Sequence, residues 1–337
     1  MKKSIAVLGS TGSIGVTTLR ILQKKKNLFN IELLAANSNY KKISEQILRF
    51  KPKYFIIANE LTFNKIKNKF RKSKTIILNN YLEFPKSKKK IDITVSAIPG
   101  LAGLNPTIQF IKKTKKILLA NKESIICGWS IIKKIANKNN TETLSIDSEH
   151  FSIKKLLENI KNEDVEKIYI TASGGPFLNL PKKKLKFITP KDAIKHPKWS
   201  MGKKISVDSA TLMNKILELM EAYKLFPYDF DKYEILIHPQ SLVHAIVKLK
   251  NGITKLLYHQ PDMTIPIANA IFNFKLNINK LSIKNRNIEN LDFFKVDKKK
   301  FPIVKLIPLL NKYISTPIII NAANEILVDQ YLDKKIP

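Results

Sequence analysis

Short apolar runs alternate with polar stretches of helical spacing through the first half of the chain. Residues 4–8 read as a buried strand, Gly9 to Gly15 as a turn, and the residues on to about Lys25 as a helix. A second strand is expected at Ile31–Ala36 and a helix at Lys41–Phe50. Further short strands are expected at Tyr54–Ala58, Thr75–Leu78, Ile91–Ala97 and Lys116–Leu119. Strands that alternate with helices predict a parallel sheet covered on both faces. Strand runs continue at Leu144–Ile146 and Lys167–Thr171, and then the pattern changes. Gly174–Lys204 is rich in Pro, Gly and Lys and reads as loops. A helix with Ser209 as its N-cap is expected from about Ala210 to Leu225, followed by strands at Glu234–Ile237 and Leu242–Leu249. Asn273–Lys300 is a polar, lysine-rich candidate linker, and Ile303–Tyr331 is helical in character. The fold class is α/β: an N-terminal parallel sheet, a central α+β region and a short C-terminal helical piece.

Composition narrows the function classes. A chain of 337 residues is expected to form two or three domains, and 44% apolar residues argue against a disordered protein. No stretch reaches the roughly 18 apolar residues that a membrane span needs. Met1-Lys2-Lys3 before an apolar run looks like a secretory signal only as far as Gly9, where the glycine-patterned turn begins. The single cysteine, Cys127, allows no intrachain disulfide and fits a reducing, cytoplasmic setting. A formal charge of +33, with 60 basic residues, invites a nucleic-acid reading. Only Arg20, Arg49, Arg71 and Arg286 carry the planar fork suited to that task, and the lysines are spread evenly. Drift toward A/T-rich codons explains the lysines better, so neither a nucleic acid nor a membrane is expected as partner. The positive field still favours small anions such as sugar phosphates and dinucleotides.

Three segments carry candidate chemistry. The first, Gly9-Ser10-Thr11-Gly12-Ser13-Ile14-Gly15, follows a strand and opens a helix, a context in which free backbone N–H groups receive a pyrophosphate. The second strand ends in Ala35-Ala36-Asn37-Ser38-Asn39 with Lys41 and Lys42 beyond, and no acid stands there to repel a 2′-phosphate. NADP is favoured over NAD. In the second, Ser145-Ile146-Asp147-Ser148-Glu149-His150, Asp147 and Glu149 at a strand end fall on one side, a pair suited to Mg²⁺ or Mn²⁺, with His150 pointing away. The third runs from His196 to Glu218, and Asn214, Lys215 and Glu218 share one helical face. A plain Lys215–Glu218 surface pair is the competing reading. His238, His244 and His259 have no metal-spaced partner in the sequence and read as structural.

Taken together, GSTGSIG, LLANKES, SIDSEH, TASGGPF and HPKWSMGKKISVDSATLMNK, with LIHPQS (236–241) and NAANE (321–325), occur in the order found in one family. The chain resembles the 1-deoxy-D-xylulose 5-phosphate reductoisomerases along nearly its whole length. The resemblance implies a Rossmann-type NADPH-binding domain at 1–146, a catalytic metal- and substrate-binding domain at 147–272, a linker at 273–300 and a truncated helical region at 301–337. It implies rearrangement of a ketose phosphate and reduction to 2-C-methyl-D-erythritol 4-phosphate, by a homodimer in the cytoplasm. Residue by residue, it implies that Thr11, Gly12, Ser13 and Ile14 hold the cofactor, with Asn37, Ser38 and Asn39 near its 2′-phosphate. Asn121, Glu123 and Gly202 would also contact cofactor. Asp147, Glu149 and Glu218 would hold Mn²⁺ or Mg²⁺. Substrate would be bound by Lys122, Ser148, Glu149, Ser173, His196, Ser209, Asn214, Lys215 and Glu218, with Lys122, Glu149 and His196 nearest the chemistry. Trp199 and Met201 would belong to a lid.

Departures from the family pattern are expected to matter. Asn37 and Ser38 stand where Gly and Lys are usual, and Ile216 stands where Gly is usual. The family continues beyond NAANE further than this chain does, so helix faces at Ile319, Ile326, Leu327 and Tyr331 are expected to lose partners. Three carboxylates brought together are expected to hold a proton in the absence of a cation. Two rival readings stay open: a metal-independent oxidoreductase of the semialdehyde-dehydrogenase sort, and a basic binding protein without turnover.

Overall fold

The computed structural model describes residues 2–337 except Lys86, Lys88, Pro197, Lys198, Ser200, Met201, Phe274, Leu276 and 278–289. The chain divides into two compact units. The first comprises Met1–Ser124, Gly128–Ile146 and Pro266–Ile283; the second comprises Ile125–Cys127, Asp147–Ile265 and Lys284–Pro337.

In the first unit strands and helices alternate: β1 (Lys3–Leu8), α1 (Ser13–Lys24), β2 (Phe29–Ala36), α2 (Tyr40–Phe50), β3 (Tyr54–Ile57), α3 (Glu60–Lys69) and β4 (Ile76–Leu78). Next come β5 (Ile91–Ser96), α4 (Leu104–Ile111), β6 (Thr114–Leu119), α5 (Lys122–Lys138) and β7 (Glu142–Ser145). Among the described residues the strands form a seven-stranded sheet in the order β4-β3-β2-β1-β5-β6-β7, and each pairing is parallel. Ile5 to Leu8, Leu33 to Ala35 and Phe55 to Ile57 are wholly buried, which is why these strands read as unbroken apolar runs rather than alternating ones. The chain leaves β1 for β2 on one side and later places β5 on the other, so the end of β1 is the switch point where open α/β sheets bind ligands.

The second unit holds α6 (Ser148–Leu156), β8 (Val165–Ala172), α7 (Pro190–Ala193), α8 (Lys203–Ala210), α9 (Met213–Leu225), β9 (Tyr233–Ile237) and β10 (Val243–Leu249). It continues with β11 (Thr254–Tyr258), β12 (Phe294–Lys295) and α11 (Thr316–Leu332); α10 (Thr264–Phe272) begins in it. Among the described residues its sheet runs β11-β10-β8-β9-β12, parallel only between β8 and β9. α6 packs on β10 and β11, and α9 on β8. One apolar core joins Ile153 and Leu156 of α6, Ile216 and Leu219 of α9, and Ile168 and Ile170 of β8.

Four expectations from the sequence need correction. The strand near Asp147 stops at Ser145; Asp147 is instead the N-cap of α6, its Oδ1 accepting from the Glu149 N–H at 3.2 Å. Ser209 is no N-cap, because it lies in the last turn of α8. The break comes later, at Leu212, whose left-handed backbone (φ 68°) turns the chain before α9 begins at Met213. The linker assigned to Asn273–Lys300 contains β12, in which Phe294 pairs with Ile237; residues 274, 276 and 278–289 of that linker lie outside the described residues. In the tail, Ile319, Ile326 and Leu327 are exposed, but Tyr331 packs with Val328 against Phe177 and Val207.

Among the described residues no helix is long and apolar enough to cross a membrane.

Candidate functional site

The cradle after β1 is shaped by close backbone approach. Gly9 has a φ of +83°, and a Cβ there would stand 2.4 Å from the Ala97 carbonyl oxygen at the end of β5. A Cβ on Gly15 would stand 2.3 Å from the Gly9 oxygen. Both positions therefore demand glycine, and the turn is locked by Ser10, whose hydroxyl donates to Gln46 Oε1 at 2.7 Å. Gln46 returns a hydrogen bond to the Ser10 carbonyl at 2.9 Å. Gly12 is the N-cap of α1 without a side chain to cover the first N–H groups, and Ser13 and Ile14 form the opening turn. Thr11 lies beside Lys42, whose Nζ donates to the Thr11 carbonyl at 3.1 Å. Asn37, Ser38 and Asn39 are exposed after β2, and Asn39 caps α2. An uncapped helix start, a glycine-lined turn and a lysine where an acid would exclude a 2′-phosphate fit an NADP-type dinucleotide. Lys42 stands only near the end of β2 in the sequence; its contact with Thr11 makes it part of the cradle.

Asn121 serves the fold. It caps α5 by accepting from the Ser124 N–H at 2.5 Å, and its amide donates to the Ile98 and Gly100 carbonyls at 2.5 and 2.8 Å. Lys122 and Glu123 follow it, both buried, in the first turn of α5.

In the second unit, Asp147, Glu149 and Glu218 come together although Glu218 lies far along the chain. Each offers a carboxylate oxygen, and these oxygens all lie within 4.8 Å of one another. Lys215 sits among them, its Nζ 2.5 Å from Glu149 Oε1 and 2.5 Å from Glu218 Oε2. Both members of the Lys215–Glu218 pair are buried, which removes the surface-pair reading. Asn214 donates to Glu218 Oε1 at 2.5 Å, and Ser148 donates to Glu149 Oε2 at 2.5 Å. Burial pushes the Glu149 carboxyl up and Asp147 adds to that, but the Lys215 ammonium, with His244, outweighs them and holds it down at about 2. Burial lowers the Lys215 pKa, yet Glu149 and Glu218 raise it further, so it stays charged. Glu149 is thus held ionised by the lysine.

His150 does not point away from this cluster. Its Nδ1 lies 3.4 Å from Asp147 Oδ1 and 3.3 Å from Glu221 Oε2, because one helical turn of α6 brings positions three apart to the same face. Its Nε2 donates to the Glu218 carbonyl at 2.9 Å. Burial lowers its pKa, but Glu221 and Asp147 raise it to about 9, so it is a cation at neutral pH. Carboxylates of Asp147, Glu149, Glu218 and Glu221 thus surround Lys215 and His150, and the all-oxygen donor set of Asp147, Glu149 and Glu218 suits Mg²⁺ or Mn²⁺. Glu221, three residues after Glu218 on α9, was missed in the sequence; that spacing was the available signal.

His196 accepts the Trp199 N–H at Nδ1, 2.9 Å, so its Nε2 carries the proton and donates to Ser173 Oγ at 3.0 Å. Burial first, then the Lys215 charge, lowers its pKa to about 4. Ser173 Oγ also accepts from the Gly175 N–H, leaving its own proton to donate. Trp199 meets the His244 ring edge-to-face at 5.9 Å, and Met201 lies outside the described residues. Gly202 is the exposed N-cap of α8, with open space where a Cβ would be. His238 is structural: its Nδ1 donates to the Asp292 carbonyl at 2.8 Å and its Nε2 accepts the Leu242 N–H. His244 departs from expectation, with Nδ1 4.0 Å from Glu149 Oε1.

A dinucleotide cradle at the switch point of a parallel sheet and a buried carboxylate–lysine cluster define a dinucleotide-linked oxidoreductase. Comparison with known proteins supplies the particular family. A family model described as 1-deoxy-D-xylulose 5-phosphate reductoisomerase matches residues 5–128, and models of that enzyme's C-terminal domains match 143–226 and 259–337. The chain is 47% identical over 339 residues to 1-deoxy-D-xylulose 5-phosphate reductoisomerase of Pelagibacter ubique, covering 99% of this chain and 87% of that one. It is 39% identical over 344 residues to the same enzyme of Clostridium tetani, covering 99% and 88%. Among solved structures, DOX-P reductoisomerase in complex with NADPH, fosmidomycin and magnesium superposes with a TM-score of 0.91 at 34% identity, covering 99% of this chain and 86% of that one. The Zymomonas mobilis enzyme in complex with NADPH gives 0.85 at 34%, covering 100% and 88%. The chain belongs to the 1-deoxy-D-xylulose 5-phosphate reductoisomerase family.

Proposed function

We propose that the residues gathered above carry out the family's reaction, the NADPH- and divalent-metal-dependent conversion of 1-deoxy-D-xylulose 5-phosphate to 2-C-methyl-D-erythritol 4-phosphate. The observation that carries the assignment of the site is the meeting of Asp147, Glu149 and Glu218 around Lys215. Asp147, Glu149 and Glu218 would hold Mg²⁺ or Mn²⁺, which supplies Lewis-acid stabilisation of negative charge on substrate oxygens. Thr11, Gly12, Ser13 and Ile14 would receive the NADPH pyrophosphate, with Asn37, Ser38, Asn39 and Lys42 toward the 2′-phosphate. Asn121, Glu123 and Gly202 are assigned to cofactor on the family resemblance, although the Asn121 side chain is already engaged in the fold.

Ser173, Ser209, Asn214 and Lys215 would bind the substrate, chiefly its phosphate, which orients the reacting end from a distance. Ser148 and Lys122 would hold hydroxyl oxygens. On the family resemblance Glu149 would lie against a substrate hydroxyl whose proton moves during the carbon–carbon rearrangement, although its carboxylate, held ionised beside Lys215, is a weak base there. His196, neutral and with its Nε2 proton given to Ser173 Oγ, would orient that hydroxyl toward substrate. Trp199, with Met201, would exclude water from the aldehyde before hydride arrives. The reading includes a homodimer, supported by the resemblance, and a cytosolic setting, supported by a single cysteine, Cys127, in no disulfide. Substrate-dependent oxidation of NADPH, with and without Mn²⁺ or Mg²⁺, tests the proposal. Activity that survives a chelator would remove the three carboxylates from their role.

A further inference from the structure

The NAANE segment (321–325) has no part in the function proposed above, and it lies on α11, a helix that turns amides inward. Its inner stripe is Pro317, Asn321, Asn324 and Val328, spaced four, three and four apart, whereas Ile319, Ile326 and Leu327 are exposed. An amide on the inner face of a helix destabilises the fold unless it finds a hydrogen-bond partner. Asn321 Nδ2 donates to Cys127 Sγ at 3.6 Å, and Asn324 Nδ2 donates to Asp208 Oδ1 at 2.8 Å. Lys204, one turn earlier on α8, donates to the other oxygen, Asp208 Oδ2, at 2.9 Å. Asp208 is 1% exposed, so taking a donor from it strands part of a buried carboxylate. The next residue is Ser209, assigned above to the substrate's phosphate. Its backbone is closely approached by the loop that carries Ser173. A Cβ on Gly175 would stand 2.6 Å from the Ser209 carbonyl oxygen, and the Gly175 N–H donates to Ser173 Oγ at 3.1 Å. Val207 and Ala210 of α8 share an apolar cluster with Phe177 of the same loop and with Val328 of α11.

From this arrangement we infer that Asn324 is a positioning residue for the substrate's phosphate: through Asp208 it fixes the rotation of α8 about its own axis, and with it the place of Ser209 beside Ser173. The inference rests on the function proposed above. Apolar contact alone does not do this. Val328 against Val207 sets how closely the two helices pack, but such contact has no direction. A hydrogen bond of 2.8 Å to one carboxylate oxygen has one, because it weakens steeply as its angle closes. The Gly175 contact makes the requirement strict, since α8 has no slack against the Ser173 loop. A helix that rolls on α11 must push that loop aside or draw away from it, and either movement separates the two serines from their shared ligand.

Three variants separate positioning from bulk stability. Asn324→Ala removes the donor, and Asn324→Asp sets two carboxylates against each other. Asn324→Asp combined with Asp208→Asn restores a donor and an acceptor with their roles exchanged. The readouts are steady-state kinetics well below each melting temperature, NADPH affinity and the melting temperature itself. Asn324→Ala should raise KM for 1-deoxy-D-xylulose 5-phosphate about tenfold with kcat nearly unchanged, the pattern of lost uniform binding. Asn324→Asp should raise KM further, and the double variant should return it to within about threefold of the parent's. NADPH affinity should hold throughout, because its cradle lies in the first unit. Asn324→Ala is the milder change and decides the question if Asn324→Asp does not fold. Single variants that melt earlier but keep the parent's KM would overturn the inference, as would a double variant that recovers melting without KM. A parent that turns over no substrate overturns the proposed function and this inference with it; an active parent whose KM the single variants share overturns the inference alone.

Discussion

The proposed cofactor cradle of the first unit is built from backbone, and the proposed metal site of the second from buried charge. Around Gly9 and Gly15 there is almost no side chain: the cradle exists because two turns approach so closely that a methyl group would collide. Around Glu149 there is almost nothing but side chains, six ionic groups from α6 and α9 that are costly to bury unless they neutralise one another. The contrast teaches where each unit is vulnerable. The cradle should fail by sterics and tolerate changes of charge; the cluster should tolerate small changes of shape and fail by charge.

The largest expected effect tests the cluster. Glu218→Gln keeps shape and removes one charge; turnover should fall on the order of a hundredfold or more and Mn²⁺ affinity with it. NADPH affinity, set by the first unit, should hardly move. If titration and kinetics both stay near the parent's, the cluster is not governed by charge and Glu218 is no ligand. Next comes the cradle. Gly15→Ala should destabilise the protein by about 1–3 kcal/mol and weaken NADPH, since the added carbon stands 2.3 Å from the Gly9 oxygen. Gly12→Ala, whose added carbon would stand 3.4 Å away, should fold nearly normally. Equal melting temperatures for the two variants would show that close approach does not control the turn.

A smaller effect sharpens the contrast by adding charge to the cradle. Ser38→Lys should tighten NADPH about fivefold, near 1 kcal/mol, with NADH unchanged. The parent should prefer NADPH; equal use of NADH would remove the argument from the missing acid. The smallest effect concerns acid. His196 has a folded-state pKa of about 4, below its ordinary 6.5. Its contribution to stability is present above pH 6.5 and is lost as pH falls toward 4, because the unfolded chain takes up the proton first. Allowing for its partial exposure, the loss is on the order of 1 kcal/mol. Melts of the metal-free protein between pH 7.5 and 4.5 should be flatter for His196→Asn than for the parent.

The same contrast explains what could be read from the sequence. The strands of the first unit were legible because burial on both faces leaves continuous apolar runs, and the cradle because glycine spacing is local. In the second unit, Asp147 looked like the end of a strand; only its hydrogen bond to the Glu149 N–H turns the chain into a helix there. The helix break at Leu212 carries no glycine or proline to announce it. Glu149 and Glu218 were paired by resemblance to a family, not by spacing, since the contact joins two distant helices. His150 and His244 were set aside because their partners, Glu221 and Glu149, become neighbours only once those helices and β10 pack.

Lys215 has a consequence for the order in which ligands reinforce each other. Its ammonium already sits between Glu149 and Glu218, so a divalent ion held by the proposed carboxylate ligands would compete with a resident counter-ion. The intrinsic affinity of the carboxylates is discounted by whatever free energy holds the lysine in place. A phosphate-bearing substrate that draws Lys215 toward itself lifts that discount. By thermodynamic linkage, each ligand then raises the affinity of the other by the same factor. Mn²⁺ titrations with and without a non-reacting phosphate analogue of the substrate should therefore differ in the tighter direction, and Lys215→Met should abolish the difference.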